Sequence, residues 1–231
     1  MQSLDVHWLT RRLADVPDHN NWLSDREREV LAGLTVIKRR SDWRLGRWTA
    51  KCLVRAQLDR RFGIHEYGDI EVRAAPDGAP DVYVRGEVAP VTLSISHSNG
   101  VALCALAVCE MRLGCDTELI EARTEAFVAD YFSSEERGVV ARMPIWHRPL
   151  AATLIWSAKE SVLKARRVGL RHDTRSVVVD VGDSVRCRRD QWTRFSARCT
   201  DDGGAFGGFW MSAAGHVHTL ATEPRVSAQS I

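Results

Sequence analysis

Hydrophobic positions along the chain follow two spacings, one typical of helices and one typical of strands. Apolar residues that recur every three to four positions predict helices at 25–33, 40–62, 122–131, 134–142 and 149–167. Short apolar runs bounded by turn residues predict strands at 70–73, 82–84, 91–96, 101–108, 113–118, 177–181, 185–188, 192–197, 206–212 and 216–221. Long helices that alternate with groups of strands predict the α+β class.

A faint internal repeat divides the chain into two related halves. Residues 23–28 resemble residues 132–137, and the tetrapeptide at 48–51 resembles the one at 156–159, with offsets that agree to within one residue. We therefore expect a first half at 1–110, a second half at 111–222 and a polar, flexible tail at 223–231, with a cleft between the halves.

The two copies of the long helix differ in their chemistry. Glu160 and Lys164 of the second copy correspond to Cys52 and Ala56 of the first. Any chemistry of this helix is therefore expected on the second half.

The composition indicates a protein with a packed core and no affinity for nucleic acid or membranes. The chain has 231 residues, of which 45% are hydrophobic, and its net charge of +2 is small. No apolar run approaches the roughly 18 residues of a membrane helix, and the N-terminal segment has no signal-peptide pattern. Six cysteines without a C-x-x-C pair predict reduced thiols, so we expect a cytoplasmic protein.

The most distinctive segment is the helical run W-S-A-K-E-S-V-L-K at 156–164. Helical spacing places Trp156, Glu160 and Lys164 on one stripe. As an ordinary surface pair, Glu160 and Lys164 would stabilise the helix by only about 0.3–0.5 kcal/mol. A carboxylate and an ammonium group one turn apart can instead serve a metal ion and a phosphate together.

Asp116 and Glu118 lie two residues apart on a predicted strand, so both carboxylates point to one face. With Glu160 as a third ligand they would form a hard, open site suited to Mg²⁺, with Mn²⁺ as a second candidate. A D-x-E pair is also common at solvated strand ends, so this prediction depends on the accompanying motifs.

Polar and cationic residues elsewhere predict an anionic ligand. Ser96 and His97 follow a buried strand, where ligand contacts are frequent, although an ordinary serine turn has the same pattern. Arg40, Arg44 and Arg47 form a cationic stripe on the first long helix, which is either a phosphate-binding surface or a solvated face.

Glu136 belongs to a motif that is typical of a helix start. Ser133 and Glu136 have the spacing of a capping box, a structural role worth about 1 kcal/mol. An acidic side chain at a helix start would also lie well beside a cation site, so both roles stay open.

Together these motifs resemble the 4'-phosphopantetheinyl transferases, in the monomeric, broad-specificity branch that activates carrier proteins of peptide and polyketide synthases. The resemblance covers about residues 20–220 and implies two related halves about a pseudo-twofold axis. The motifs that carry it are S-I-S-H-S at 94–98, G-C-D-T-E at 114–118, F-S-S-E-E at 132–136, the run at 156–164, and Gly169 with Leu170.

The resemblance implies transfer of the phosphopantetheine arm of coenzyme A to a serine of an apo acyl or peptidyl carrier protein. Asp116, Glu118 and Glu160 would hold the metal on the pyrophosphate, and Lys164 would stabilise developing charge. Glu136 or Glu160 would help to deprotonate the serine. Contacts to coenzyme A would come from Ser96, His97 (also a catalytic candidate), Arg40, Arg44, Arg47, Arg73, Lys159 and Lys164.

One turn departs from the family pattern. Ala79 stands between Gly78 and Pro80 where the family often has a lysine, and Arg73 is the candidate replacement. A Mg²⁺-dependent phosphohydrolase and a non-enzymatic coenzyme A-binding protein are the alternative functions. Two halves in one chain favour a monomer.

Overall fold

The computed structural model describes residues 4–169, 172–182, 190–223 and 226–230. The predicted strand at 185–188 and Leu170 of the last motif lie outside these residues. In the described ranges, no helix combines the length and the apolar character that a membrane span requires.

The first half packs one long helix against two sheets. Strands β1, β6 and β5 lie side by side and pair antiparallel, and β2, β3 and β4 form a smaller antiparallel sheet. Helix α2 covers both, with Leu53, Val54 and Leu58 fully buried among the strands. The elements are β1 (Leu4–Arg12), α1 (Asp25–Gly33), α2 (Ile37–Phe62), β2 (Ile70–Ala74), β3 (Pro80–Val84), β4 (Glu87–Val88), β5 (Thr92–Ser98) and β6 (Val101–Ala107).

The second half packs its long helix against a single sheet. Its sheet has the order β7-β11-β10-β9-β8, and every pairing in it is antiparallel. Helix α5 packs on β7 and β11 and is buried on all sides over two turns, as expected of a central helix. The elements are β7 (Leu113–Leu119), α3 (Glu125–Tyr131), α4 (Ser134–Arg142), α5 (Arg148–Ala165), β8 (Val177–Asp180), β9 (Thr193–Cys199), β10 (Ala205–Ala213) and β11 (His216–Thr222).

The α+β class predicted from the sequence is confirmed, with two differences at the chain ends. β1 has no counterpart among the predicted strands, although Val6 and Trp8 alternate with Asp5 and His7 as in a strand. The tail at 223–231, predicted to be flexible, contains strand β12 (Val226–Ser230), which pairs in parallel with β1. Parallel backbone pairing with β1 therefore stabilises this segment.

A buried ion pair anchors the first half. Glu27 closes the capping box on Ser24 and lies 2.5 Å from the ammonium group of Lys51. Its other oxygen accepts a hydrogen bond of 3.0 Å from the backbone N–H of Val72 on β2. Glu27 therefore ties α1, α2 and β2 together.

The same contacts recur in the second half. Glu136 closes the capping box on Ser133, lies 2.8 Å from the ammonium group of Lys159, and accepts a 2.8 Å hydrogen bond from the N–H of Val179 on β8. The predicted repeat is thus a repeat of contacts as well as of sequence, as two halves of common architecture require.

Serine side chains of β5 join the two halves. Ser94 Oγ accepts from the N–H of Cys115 at 2.9 Å, and Ser96 Oγ donates to Asp116 at 2.7 Å. Two residues further along, Ser98 Oγ contacts Glu118 at 3.4 Å. Because alternate residues of a strand share a face, one face of β5 holds β7 of the other half in register.

Candidate active site

A cavity of about 660 Å³ opens between the two halves. Its first-half wall is formed by the start of α2, the end of β5 and the turn before β3, and its second-half wall by β7 and α5. Seven of the residues predicted for the site line it: Arg47, Ser96, His97, Asp116, Glu118, Glu160 and Lys164. The cleft expected between the halves therefore exists and contains the predicted acids.

Lys164 brings together acids from two elements. Its ammonium group donates to Asp116 of β7 at 2.8 Å and lies 3.8 Å from Glu160 on its own helix. Asp116 is 1% exposed, and its second oxygen has no hydrogen-bond partner in the described part of the chain. A buried carboxylate oxygen without a hydrogen-bond partner, on a residue that lines a cavity, is suited to bind a cation.

Gly114 allows β7 and α5 to approach closely enough for these contacts. A Cβ atom at this position would lie 1.8 Å from the carbonyl oxygen of Ser161 and 2.6 Å from the backbone nitrogen of Ala165. Backbone atoms of a buried helix cannot move aside locally, so only glycine fits. This glycine opens the G-C-D-T-E motif and sets the distance between Asp116 and Lys164.

Replacing Gly114 with alanine is expected to destabilise the fold by more than the about 1–3 kcal/mol that is typical of overpacking. Gly33→Ala is the matched control, because its Cβ would meet nothing within 4 Å and its helical backbone suits alanine. Urea unfolding of both variants tests this. Equal stability of Gly114→Ala and the wild type would contradict the close approach.

Burial and neighbouring charge change the ionisation of the acids. Burial raises the pKa of Glu160 to about 8, with Asp116 adding to the effect and Lys164 opposing it. Burial also raises the pKa of Glu118, again with a contribution from Asp116. Burial alone would lower the pKa of Lys164, but Asp116 and Glu160 outweigh it and raise it. The site therefore favours an ammonium ion at Lys164 and a protonated carboxyl at Glu160.

The proton on Glu160 predicts how stability depends on pH. In the unfolded chain Glu160 ionises near 4.5, whereas in the folded, metal-free protein it keeps its proton to about pH 8. Between these values the folded state binds more protons, so the free energy of unfolding falls as pH rises, by at most about 1.4 kcal/mol per pH unit.

Thermal unfolding in a chelator should therefore show a Tm that falls between pH 6.5 and 8. Below that window His218, whose pKa burial lowers to about 4, acts in the opposite direction. Glu160→Gln should remove most of the fall. A fall of the same size in this variant would assign the effect to another group.

The cavity is also lined by Lys38, Arg39 and Trp43, which were not among the predicted site residues. The sequence placed the helix start at residue 40, but α2 begins at Ile37, so Lys38 and Arg39 belong to its first turn. Arg39, Trp43 and Arg47 recur at intervals of four and thus share a face. This spacing is present in the sequence, but it is recognised as part of the helix only when the helix begins at Ile37.

Arg40, Arg44 and Arg73 do not line the cavity. Arg40 donates to the carbonyl of Leu31 at 2.7 Å, and Arg44 donates to the carbonyls of Pro17 and Asp18. Arg73 pairs with Glu71 and lies over the ring of Tyr83, with 3.8 Å from guanidinium carbon to ring centroid. The cationic face that reaches the cavity is therefore made of Lys38, Arg39 and Arg47.

Glu136 and Lys159 also lie away from the cavity. Both side chains are at most 1% exposed and face each other. Lys159 donates further to the carbonyls of Thr174 and Val177. All their polar atoms have partners within the core of the second half. The catalytic role of Glu136 and the cofactor-binding role of Lys159 stay predictions.

A second cluster of metal-binding residue types lies outside the cavity. Ligand atoms of Cys199, Asp201 and Asp202 lie within 4.8 Å of one another, and in the described residues they alone form such a set of three or more. Arg166 already bonds both aspartates, at 2.8 and 2.9 Å. The guanidinium group of Arg166 thus already neutralises this cluster. The acids of the cavity lie further apart than these three residues.

Comparison with known proteins relates the second half to a family. The chain is similar to a holo-(acyl-carrier-protein) synthase from Bacillus anthracis str. Ames in complex with CoA (3',5'-ADP), with 25% identity, 46% of this chain and 95% of that chain covered, and a TM-score of 0.38. It is also similar to Thermotoga maritima holo-[acyl-carrier-protein] synthase, with 18% identity and a TM-score of 0.38. That match covers 57% of this chain and 76% of the other chain. A comparison with curated proteins finds no match. Residues 112–221, which carry β7 and α5, match the family model ACPS, the 4'-phosphopantetheinyl transferase superfamily.

Proposed function

We propose that this protein transfers the 4'-phosphopantetheine arm of coenzyme A to a serine of an apo carrier protein and releases adenosine 3',5'-bisphosphate. The observation that carries the proposal is the meeting of Asp116, Glu118, Glu160 and Lys164 at one cavity. The family match covers all four residues. Cations on the opposite wall, from α2, suit the phosphates of coenzyme A.

The acids of the cavity fit a divalent cation. They offer only hard oxygen ligands, and Asp116 presents a buried oxygen without a hydrogen-bond partner in the described residues. Asp116, Glu118 and Glu160 would hold Mg²⁺, with Mn²⁺ as a substitute. When bound, the ion would neutralise charge on the pyrophosphate.

The chemical step needs little more than positioning and charge. The serine oxygen attacks the β-phosphorus, a P–O bond forms, and the P–O bond to the nucleotide breaks as adenosine 3',5'-bisphosphate leaves. Lys164, held by Asp116 at 2.8 Å, presents a permanent positive charge to the pyrophosphate. Arg47 and His97 line the first-half wall, where they would bind phosphate oxygens.

Glu160 is the better candidate to receive the serine proton. It lines the cavity and is 15% exposed, whereas Glu136 is buried and paired with Lys159. Glu160 would lose its own proton on binding a divalent ion, and its carboxylate could then accept the serine proton directly or through a water molecule.

Incubation with coenzyme A, Mg²⁺ and an apo carrier protein tests the proposal by mass spectrometry. Transfer adds ~340 Da to the carrier serine. Release of nucleotide without this mass gain would instead support a phosphohydrolase. Binding of coenzyme A with neither outcome would support a non-enzymatic binding protein.

We further propose that the protein is a monomer of the broad-specificity branch that modifies both peptidyl and acyl carrier proteins. The recurrence of the Glu27–Lys51 contact as Glu136–Lys159 supports this, because two related halves then supply both walls of one cavity. Light scattering tests the oligomeric state. Labelling of one carrier of each class tests the specificity.

A further inference from the structure

Arg123 is a second cation at the acidic site, and it lies in the segment between β7 and α3. Its guanidinium group lies 3.3 Å from Glu118 and 2.9 Å from Glu121, and its side chain is 15% exposed. It also lies 5.0 Å from the ring centroid of Phe127 on α3. These contacts hold the charge in place beside Glu118, where a mobile surface arginine would be free to turn into solvent.

Each strand acid of the site thus has its own cation. Lys164 contacts Asp116 at 2.8 Å, and Arg123 contacts Glu118 at 3.3 Å. Both Arg123 and Ser98 contact the same oxygen of Glu118, Oε2, and neither of these contacts uses Oε1. Glu118 can therefore offer Oε1 to a metal ion while Arg123 stays in place.

Asp116 and Glu118 are in this way each paired with a cation before any ligand arrives. A divalent ion on Glu118 would lie within a few ångström of the Arg123 guanidinium. At such a distance in a partly buried site, the repulsion between the two is large enough to change an affinity by more than about tenfold. The pyrophosphate of a ligand would supply the negative charge that the site lacks.

We propose that Arg123 is a charge-compensating residue that keeps the affinity for a divalent ion low until a pyrophosphate enters, so that metal and coenzyme A bind cooperatively. The proposal rests on the proposed function for the identity of the ligand. It predicts that loss of Arg123 makes metal binding without coenzyme A tighter, and a purely orienting role does not predict this direction. If Arg123 served only to orient Glu118, its loss would make that binding weaker.

Mn²⁺ titration followed by electron paramagnetic resonance, with and without coenzyme A, tests this on the full chain. For Arg123→Gln we expect the Kd of Mn²⁺ alone to fall at least tenfold. The factor by which coenzyme A lowers this Kd should decrease to a similar extent. Arg123→Lys keeps the charge and should resemble the wild type. Glu121→Gln removes the other carboxylate that Arg123 contacts, so Mn²⁺ alone should bind this variant no more tightly than the wild type.

Unchanged or weaker Mn²⁺ binding by Arg123→Gln would overturn the proposal. The Tm of each variant in chelator identifies any loss of folding, and binding is then compared at a temperature where all variants are folded. Failure of the wild type to bind Mn²⁺ even with coenzyme A would instead count against the proposed function. The two failures are therefore distinguishable.

Discussion

Replacing Asp116 with asparagine is expected to reduce carrier labelling by about 10²–10³-fold or more, while the protein stays folded. Asparagine has the same shape and can still accept from Ser96 and Lys164 through its carbonyl oxygen. It loses the negative charge that a divalent ion requires and that fixes the ammonium group of Lys164 at 2.8 Å. Initial rates with saturating coenzyme A, measured by mass spectrometry of the carrier, give the effect.

Asp201→Asn is the matched control for this substitution. Asp201 is also bonded to a cation, Arg166, but it lies outside the cavity. Its loss should leave the labelling rate within about twofold of the wild type, since surface pairs contribute little. An Asp116→Asn variant that retains a tenth of the wild-type rate would exclude a direct role for this carboxylate.

The second large effect is on stability, and it comes from the buried pair of the second half. Lys159→Met should lower the free energy of unfolding by about 3–5 kcal/mol, because Glu136 would be left buried without a counter-charge. Urea unfolding measures this loss. The labelling rate per folded molecule should be kept, since Lys159 is fully buried and away from the cavity.

The first half offers a matched test of the same physics. Lys51→Met removes the partner of Glu27 in an equivalent contact and should cost a similar amount. Lys38→Met, which removes an exposed partner of Asp42, should have little effect on unfolding. If the labelling rate of Lys159→Met fell while the free energy of unfolding was unchanged, the predicted contact of Lys159 with coenzyme A would be supported.

Local patterns were sufficient to predict most elements of the fold. The capping box predicted at Ser133 marked a helix start that the structure confirms, because a cap is a contact between residues three apart. β12 was missed because it is held by backbone pairing with β1, and such a long-range contact leaves no mark on the composition of the strand. The same limit concealed the contacts between β5 and β7.

The acids of the candidate site were recognisable from spacing, but their partners were not. Asp116, Glu118, Glu160 and Lys164 line the cavity as their periodicities suggested. The orientation of an arginine side chain depends on which carbonyl or carboxylate group lies near its guanidinium group in the folded protein. For this reason sequence spacing could not separate Arg47, which reaches the cavity, from Arg40 and Arg44, which do not.

The serine contacts of β5 have a consequence for dissecting the protein into fragments. The segment that matches the family model begins at residue 112 and includes Asp116, Glu118 and Glu160. Ser96 and Ser98, which contact Asp116 and Glu118, belong to the other half. A fragment made of residues 111–222 would thus carry all the acidic groups without the scaffold that aligns them. Activity should therefore reappear only on complementation with a first-half fragment.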